Sequence, residues 1–188
     1  NTSWEKAKFE VSNHKYTDLS EPGYGVAVLN DCKYGVSVEN GRIWLSLHKG
    51  GCRPDYRGDK GIHECTYALL PHNSGFGAEA VVQPAYELNI APIVMPGRKD
   101  MESFVTVDVP NVIVETVKPM EDGNGYAMRL YEAEGTSVRT KIHLIETGEK
   151  VMLTNLLEEE IETLPDEKEI ALEFKPFEIK TICVAMNE

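Results

Sequence analysis

The chain consists largely of short runs rich in Val, Ile, Tyr, Phe and Thr, separated by Gly, Pro, Asn and Asp. Several runs alternate apolar and polar side chains, which places the apolar ones on one face of an extended strand. Short strands with turn residues between them are typical of β-sandwiches and barrels, so we predict an all-β protein. The predicted strands cover residues 8–11, 25–29, 35–38, 42–47, 64–70, 80–88, 104–117, 126–133, 137–145, 150–157, 169–176 and 178–185.

A domain boundary is predicted near Gly97. Residues 92–100, PIVMPGRKD, combine two prolines, a glycine and three charged side chains, and the strand-like alternation resumes at Phe104. We therefore predict two β units, residues 1–97 and 98–188. The second has the length and strand content of a small sandwich. The first has too few strands to close its edges, so we expect it to be part of a larger structure.

Composition narrows the classes of partner. The chain has 31 acidic and 19 basic residues, a net charge of −12, which argues against binding to nucleic acid or to an anionic membrane. No apolar run approaches the roughly 20 residues that span a bilayer, and the first residues lack the pattern of a signal peptide. The four cysteines form no regular framework, which favours a reducing, cytoplasmic location.

A polar cluster, VLNDCKYG, follows one predicted strand at residues 28–35. Such a cluster is either a ligand-binding loop or an ordinary turn in which Asn30 and Asp31 bond to nearby backbone. The next turn is clearer. Asn40 and Gly41 form an Asn-Gly pair, the strongest short signal for a β-hairpin, because both residues tolerate positive φ.

Metal sites are possible at two places, each with a simpler alternative. The spacing of His48, Cys52, His63 and Cys65 would suit zinc, with His63 and Cys65 on one face of a strand. In the alternative interpretation, the histidines lie in loops without a metal and the cysteine packs as a small apolar side chain. His14 and His72 are likewise interpreted as polar groups at loop edges.

The acidic stretch at residues 157–173, LEEEIETLPDEKEIALE, is the second such place. Its simplest interpretation is a solvated connection whose charge discourages edge pairing. Calcium binding is the alternative, although the EF-hand spacing is absent. No recognisable nucleophile motif is present, so no catalytic triad is assigned.

Several sequence blocks in fixed order resemble the C-terminal β-rich region of glycoside hydrolase family 38 α-mannosidases, in the bacterial and cytosolic branch. The likeness extends from Phe9 to Val184. The blocks are FEVSNHKYTDLSEPGYGVAVLNDCKYG, DKGIHECTYALLPH, AYELN, MRLYEAEGTSV, TNLLEEE and LEFKPFEIKTICV.

This resemblance implies a function in which the chain itself carries no catalytic residue and no metal ligand. Full-length members are retaining α-mannosidases in which an N-terminal barrel holds a catalytic zinc and supplies an Asp nucleophile and an Asp acid/base. The chain would then be the end of a galactose-mutarotase-like β-supersandwich followed by a small β-sandwich. Its partners would be the catalytic and helical domains of the same enzyme, the α-mannoside substrate and possible further copies in a homo-oligomer.

The resemblance also implies site residues. The loop at residues 30–35 corresponds to a segment near the substrate pocket, so Asp31 and Lys33 are expected at the pocket edge, with Lys33 donating to sugar hydroxyls. His63 and His72 match recurrent positions of a second block and are further candidates for substrate-binding or structural roles. Cys65 replaces a common Phe, which indicates a packing position and weakens the zinc interpretation.

Two other classes of function stay open: a free-standing carbohydrate-binding module and a structural or interaction domain. A carbohydrate-binding module needs exposed aromatic faces that stack on sugar rings. Trp4 and Trp44 are the candidates, although Trp44, in RIWLSL, is expected to face the core.

Overall fold

A computed structural model describes residues 9–51, 53–97 and 102–186. The chain divides into two compact units, Asn1–Val94 and Met95–Glu188. Both consist mainly of antiparallel sheets, which confirms the predicted all-β class. The sequence places a boundary three residues from this division, and the assignment of residues 1–97 and 98–188 to particular domains stays a prediction.

The regular elements of the described residues follow one another closely along the chain. The strands are β1 Val11–Ser12, β2 Tyr16–Glu21, β3 Tyr24–Asn30, β4 Gly35–Glu39, β5 Arg42–Ser46, β6 Tyr67–His72, β7 Val105–Val107, β8 Val112–Pro119, β9 Gly125–Glu132, β10 Val138–Leu144, β11 Lys150–Thr154, β12 Glu160–Leu164, β13 Glu169–Phe174 and β14 Ile179–Ala185. A π-helical turn, Ala78–Val82, runs directly into helix α1, Gln83–Asn89.

The first unit contains two three-stranded sheets, with strand orders β1-β4-β5 and β2-β3-β6. The β4–β5 hairpin turns at Asn40 and Gly41, whose φ angles of 52° and 72° confirm the turn predicted from this Asn-Gly pair. In the other sheet, Ala27 and Leu29 of the central strand β3 are buried against the helical segment. This sheet therefore has one face covered within the unit.

The helical segment corrects the strand predicted at residues 80–88. Ala78, Val81, Val82 and Ala85 are all fully buried, and their spacing of three to four residues is that of one helix face. Pro84 lies just after the junction, and the turn before it has the wider π spacing, with the Gln83 N–H donating to the Ala78 carbonyl. A short apolar run does not distinguish a strand from a buried helix, and here the helical spacing decides.

The second unit is a sandwich of a three-stranded sheet, β13-β10-β7, and a five-stranded sheet, β12-β11-β14-β9-β8. Inward-facing side chains from both sheets form its core. They include Met128, Leu130, Ile142, Leu144, Val151, Ile170, Phe174, Ile182 and Val184. The alternation predicted for residues 126–133, 137–145 and 169–176 is therefore the inward and outward alternation of a half-buried sheet.

The acidic stretch at residues 157–173 is not only a connection, as the sequence had suggested. It contains strand β12, which pairs with β11 at the edge of the five-stranded sheet. Four of its five residues are exposed, and Glu160 forms an ion pair with Lys150 of β11. Charged side chains on an exposed edge strand oppose pairing with other chains, so the predicted effect of the charge fits a strand as well as a loop.

Within the described ranges, we find no helix that combines the length and the apolar character needed to cross a membrane.

Candidate functional site

The loop that follows strand β3 is fixed by hydrogen bonds to a distant segment. The Asp31 N–H donates to the Thr66 carbonyl (3.1 Å), and the Thr66 N–H donates to Asp31 Oδ2 (2.9 Å). Asn30 Oδ1 accepts a hydrogen bond from the Lys33 N–H (2.9 Å), which is the local turn bond expected for an Asn at this place. Asp31 instead holds together two segments 35 residues apart.

The loop also places a thiol beside a carboxylate. A hydrogen bond from Cys32 holds the pKa of Asp31 below its usual value, and the same bond raises the pKa of the Cys32 thiol. This bond is the largest cause of both shifts, because it stabilises the ionised carboxylate and the protonated thiol together. At neutral pH the pair is therefore an aspartate beside a neutral thiol.

Three groups of this loop lack partners among the described residues. Asn30 Nδ2 and Asp31 Oδ1 are buried and make no hydrogen bond there. Lys33 is a half-buried residue, and its ammonium group forms no ion pair within the described residues. Buried polar groups in native proteins are almost always hydrogen-bonded to protein or to ordered water, so Asn30 Nδ2 and Asp31 Oδ1 each require such a partner.

His72 is the last residue of strand β6, at the edge of the following loop as the sequence predicts, but its side chain is buried against the sheet. Its Nε2 lies 2.9 Å from Asp18 Oδ1 on β2, and both side chains are only 7% exposed. The His72 ring passes over Gly25 on the intervening strand β3, where a Cβ atom would overlap it. His72 thus joins three strands of the sheet from one face.

The other predicted histidine, His63, is exposed and lies in irregular structure, since β6 begins only at Tyr67. Its Nε2 lies 2.7 Å from the Asp59 carbonyl, and its ring packs on His48 with centroids 4.6 Å apart. The expectation that His63 and Cys65 share a strand face is wrong for this reason. Cys52, the fourth donor considered for zinc, lies outside the described residues.

Among the residues that the structure describes, no group of three or more His, Cys, Asp or Glu side chains could hold a metal ion. In the acidic stretch, Glu158 accepts hydrogen bonds from Lys118 (2.6 Å) and from the Glu121 N–H (2.8 Å). Asn155 Oδ1 accepts from the Leu157 and Glu159 N–H groups. These carbonyl and carboxylate oxygens thus already have protein partners.

Trp44 does not face the core, contrary to the sequence expectation. It is 46% exposed on β5, and its neighbour Ile43 is the more buried of the two. Strand alternation puts adjacent residues on opposite faces, so the expectation had chosen the wrong face of β5. The other aromatic candidate, Trp4, lies outside the described residues.

The second unit has a buried carboxylate that the sequence analysis missed. Glu132, at the end of β9, is fully buried, and its two oxygens accept six hydrogen bonds of 2.7 to 3.1 Å. The donors are the N–H groups of Glu134, Gly135, Thr136 and Phe177, the Asn111 amide and the Thr136 hydroxyl.

Burial by itself would raise the pKa of Glu132, but the hydrogen bonds from Phe177, Glu134, Asn111 and Thr136 lower it to about 2. The ionised group thus fixes three loops of the sandwich. One sequence signal could have located Glu132. It lies two residues after Leu130 and four after Met128 on the same strand, so its side chain is on the same inward face as theirs.

Comparison with known proteins gives the same family in both units. The family model described as "Glycosyl hydrolases family 38 C-terminal domain" matches residues 1–57. The model described as "Glycosyl hydrolases family 38 C-terminal beta sandwich domain" matches residues 111–182. The two matches therefore fall in the same order as the two compact units.

Related sequences resemble the chain over its whole length. "Alpha-mannosidase 2C1" of Homo sapiens is 39% identical over 198 aligned residues, which cover 100% of this chain and 19% of that protein. "Alpha-mannosidase G" of Dictyostelium discoideum is 36% identical, with 100% and 18% covered. The chain therefore spans about a fifth of the length of these relatives.

Solved structures share the fold. A glycosyl hydrolase family 38 protein from Enterococcus faecalis superposes with a TM-score of 0.71 at 17% identity, over 95% of this chain and 23% of that one. An alpha-mannosidase from Enterococcus faecalis V583 gives a TM-score of 0.69 at 19% identity, over 98% and 22%. In both, the matching region is less than a quarter of the protein.

Proposed function

This chain belongs to the C-terminal region of glycosyl hydrolase family 38, and we propose that it is the non-catalytic β-rich part of a longer cytoplasmic α-mannosidase. The observation that carries the proposal is the 39% identity across the whole chain to an alpha-mannosidase about five times longer. In this proposal the longer protein hydrolyses terminal α-mannosides. The free thiols of Cys32, Cys65 and Cys183 suit a reducing compartment.

In this proposal the catalytic zinc binds to the catalytic domain of the longer protein. Zinc there would orient the sugar and stabilise developing negative charge on oxygen. No residue of this chain is assigned as its ligand or as the nucleophile. The chain's contribution is instead to pack against the rest of the enzyme and to complete the rim of its pocket.

The packing role rests on an apolar face that the first unit leaves open. Opposite the helical segment, side chains of the β2-β3-β6 sheet line a concavity of about 600 Å³. Leu69 is 71% exposed there, and Leu19 and Tyr24 are also exposed. The lining is completed by Val26, Val28 and Ile43, among others. An apolar face of this kind in a segment of a longer chain is a surface that other parts of that chain cover.

Replacing Leu69 by Asp tests the packing role. In the 188-residue chain the substitution is at an exposed position, so we expect the free energy of unfolding to change by less than about 0.5 kcal/mol. In the longer protein the substitution buries an unpaired carboxylate, so we expect the free energy of unfolding to fall by about 3 kcal/mol or more. Urea unfolding of both proteins measures the difference. Leu157→Asp, at an exposed position of the second unit, is the control. Equal small effects in both proteins would contradict the packing role.

The rim role rests on the loop that contains Asp31 and Lys33. The hydrogen bonds to Thr66 fix the loop before any substrate binds, so that little conformational entropy is lost on binding. The Lys33 ammonium group can donate three hydrogen bonds to sugar hydroxyls. Asp31 contributes by holding the loop in place through its two hydrogen bonds to Thr66.

Replacing Lys33 by Met tests the rim role in the longer protein. A hydrogen bond from a charged group to substrate is worth about 1.5 to 3 kcal/mol, so we expect kcat/KM for an aryl α-mannoside to fall about tenfold to a hundredfold. Lys60→Met, at an exposed lysine of the same unit, is the control and should leave kcat/KM unchanged. Equal kcat/KM for the Lys33 and Lys60 variants would contradict the proposal that Lys33 binds substrate.

A further inference from the structure

Hydrogen bonds between residues 31 and 66 extend the contact between strands β3 and β6 past their regular ends, towards two cysteines. The last regular pair is Asn30 with Tyr67. The next is Asp31 with Thr66, joined by the hydrogen bond from the Asp31 N–H to the Thr66 carbonyl and by the bond from the Thr66 N–H to Asp31 Oδ2. One step further along the same register would set Cys32 opposite Cys65, and the charge of Cys65 acts on the Cys32 thiol.

The geometry of such a pair suits a disulfide. In the continued register, the Asp31 N–H bond to the Thr66 carbonyl would make residues 32 and 65 a pair of the non-hydrogen-bonded type, for which Cα atoms are about 4.5 Å apart and both side chains share one face. A disulfide requires Cα atoms about 4.4 to 6.8 Å apart. Cys32 Sγ lies 3.7 Å from the Glu64 carbonyl oxygen, which belongs to the peptide group that leads into Cys65.

We propose that Cys32 and Cys65 form a reversible cross-strand disulfide when the protein meets a low-molecular-weight disulfide of the glutathione type. Both cysteines carry free thiols in the structure. Cys32 is exposed and Cys65 is half-buried, so the oxidant reaches Cys32 first. This inference concerns the thiols alone and does not depend on the proposed function.

The reaction proceeds in two exchange steps. Cys32 loses its proton to solvent, and its thiolate attacks the small disulfide, forming a mixed disulfide and releasing one small thiolate, which takes up a proton. The Cys65 thiolate then attacks the Cys32 sulfur of the mixed disulfide and displaces the second small thiol. Overall, two protein thiols lose two electrons and two protons, and one small disulfide becomes two small thiols.

The surroundings of Cys32 favour a slow, conditional reaction. Its hydrogen bond to Asp31 is the main cause of a raised pKa, with burial and the Asp31 charge adding to it. The thiol therefore stays protonated at rest, and only the small thiolate fraction attacks. Such a pair reacts slowly and closes when the oxidant accumulates.

Peptide mapping tests this pairing because trypsin separates all four cysteines. The expected tryptic peptides are residues 16–33 with Cys32, 50–57 with Cys52, 61–98 with Cys65 and 181–188 with Cys183. We expect the native 188-residue chain, incubated with oxidised glutathione and then alkylated, to yield peptide 16–33 linked to peptide 61–98. Treatment with reduced dithiothreitol should return both peptides to their separate forms.

Two cysteine variants give the controls. In Cys65→Ser the second step is blocked, so Cys32 should accumulate as the glutathione adduct. In Cys32→Ser the linked peptide should be absent. Cys183 is fully buried and should stay unmodified, which checks that the protein remains folded during oxidation. Separate glutathione adducts on Cys32 and Cys65, a link from either cysteine to Cys52, or no reaction at Cys32 would each overturn the proposal.

Discussion

Replacing Glu132 by Ala is expected to lower the free energy of unfolding of the second unit by at least about 3 kcal/mol. The carboxylate is fully buried and accepts six hydrogen bonds, four of them from backbone N–H groups. Removal leaves these donors buried without an acceptor, and each such donor costs about 1 to 3 kcal/mol. Urea unfolding followed by circular dichroism measures the change.

The pH dependence of the same site has a definite sign. Because the folded state lowers the pKa of Glu132 to about 2, from an ordinary value of 4.5, its stabilisation is fully present above pH 4.5. It is lost as the pH falls from 4.5 towards 2. The difference in unfolding free energy between the wild type and Glu132→Gln should therefore shrink steadily over this interval.

The control for Glu132 is Glu173→Gln, which removes an exposed carboxylate that pairs with Arg139 on the same sandwich. Exposed ion pairs contribute little to stability, so we expect Glu173→Gln to change the free energy of unfolding by less than about 1 kcal/mol. The difference between this variant and the wild type should not shrink below pH 4.5. If Glu132→Ala were no more destabilising than Glu173→Gln, the buried network would not hold the loops together.

Replacing Gly25 by Val is expected to destabilise the first unit by about 3 kcal/mol. Gly25 lies on the central strand β3 between Ser20 of β2 and His72 of β6. An added Cβ would overlap the His72 ring and would lie 2.6 Å from Ser20 Cβ. The His72 ring cannot move aside without breaking its buried contact to Asp18, so the sheet itself would have to shift.

The measurement for Gly25 is thermal unfolding together with the NMR signals of the His72 ring, which should move as the contact to Asp18 breaks. Gly75→Val is the matched control in the same unit, because a Cβ atom there meets nothing within 4 Å and its φ is not in the left-handed region. Equal melting temperatures for the two variants would contradict the requirement for glycine at position 25.

Strand positions were largely predictable from the sequence because one face of most strands is buried. The alternation of apolar and polar side chains correctly predicted β9, β10 and β13, because the inward-facing apolar residues of these strands pack in the same core. It did not locate β2, whose residues Thr17, Asp18, Ser20 and Glu21 are polar, or the exposed edge strand β12. These two strands are stabilised by pairing with neighbouring strands, and the local sequence pattern carries no information about that pairing.

The candidate sites were less predictable because their contacts are long-range. The partner of Asp31 is 35 residues away and the partner of His72 is 54 residues away, and only the strand order brings them together. The resemblance identified the loop with Asp31 and Lys33, and the residues alone left it as either a turn or a site. The roles of Asp31, Lys33, His63 and His72 in substrate binding stay predictions.

The central claim is that this chain is a non-catalytic part of an α-mannosidase. The most direct measurement is the hydrolysis of a synthetic aryl α-mannoside, with added zinc, by the longer protein and by the 188-residue chain at equal concentration. We predict turnover by the longer protein and none by the chain alone. Turnover by the purified chain above that of a mock preparation would place the active site within these residues and contradict the claim.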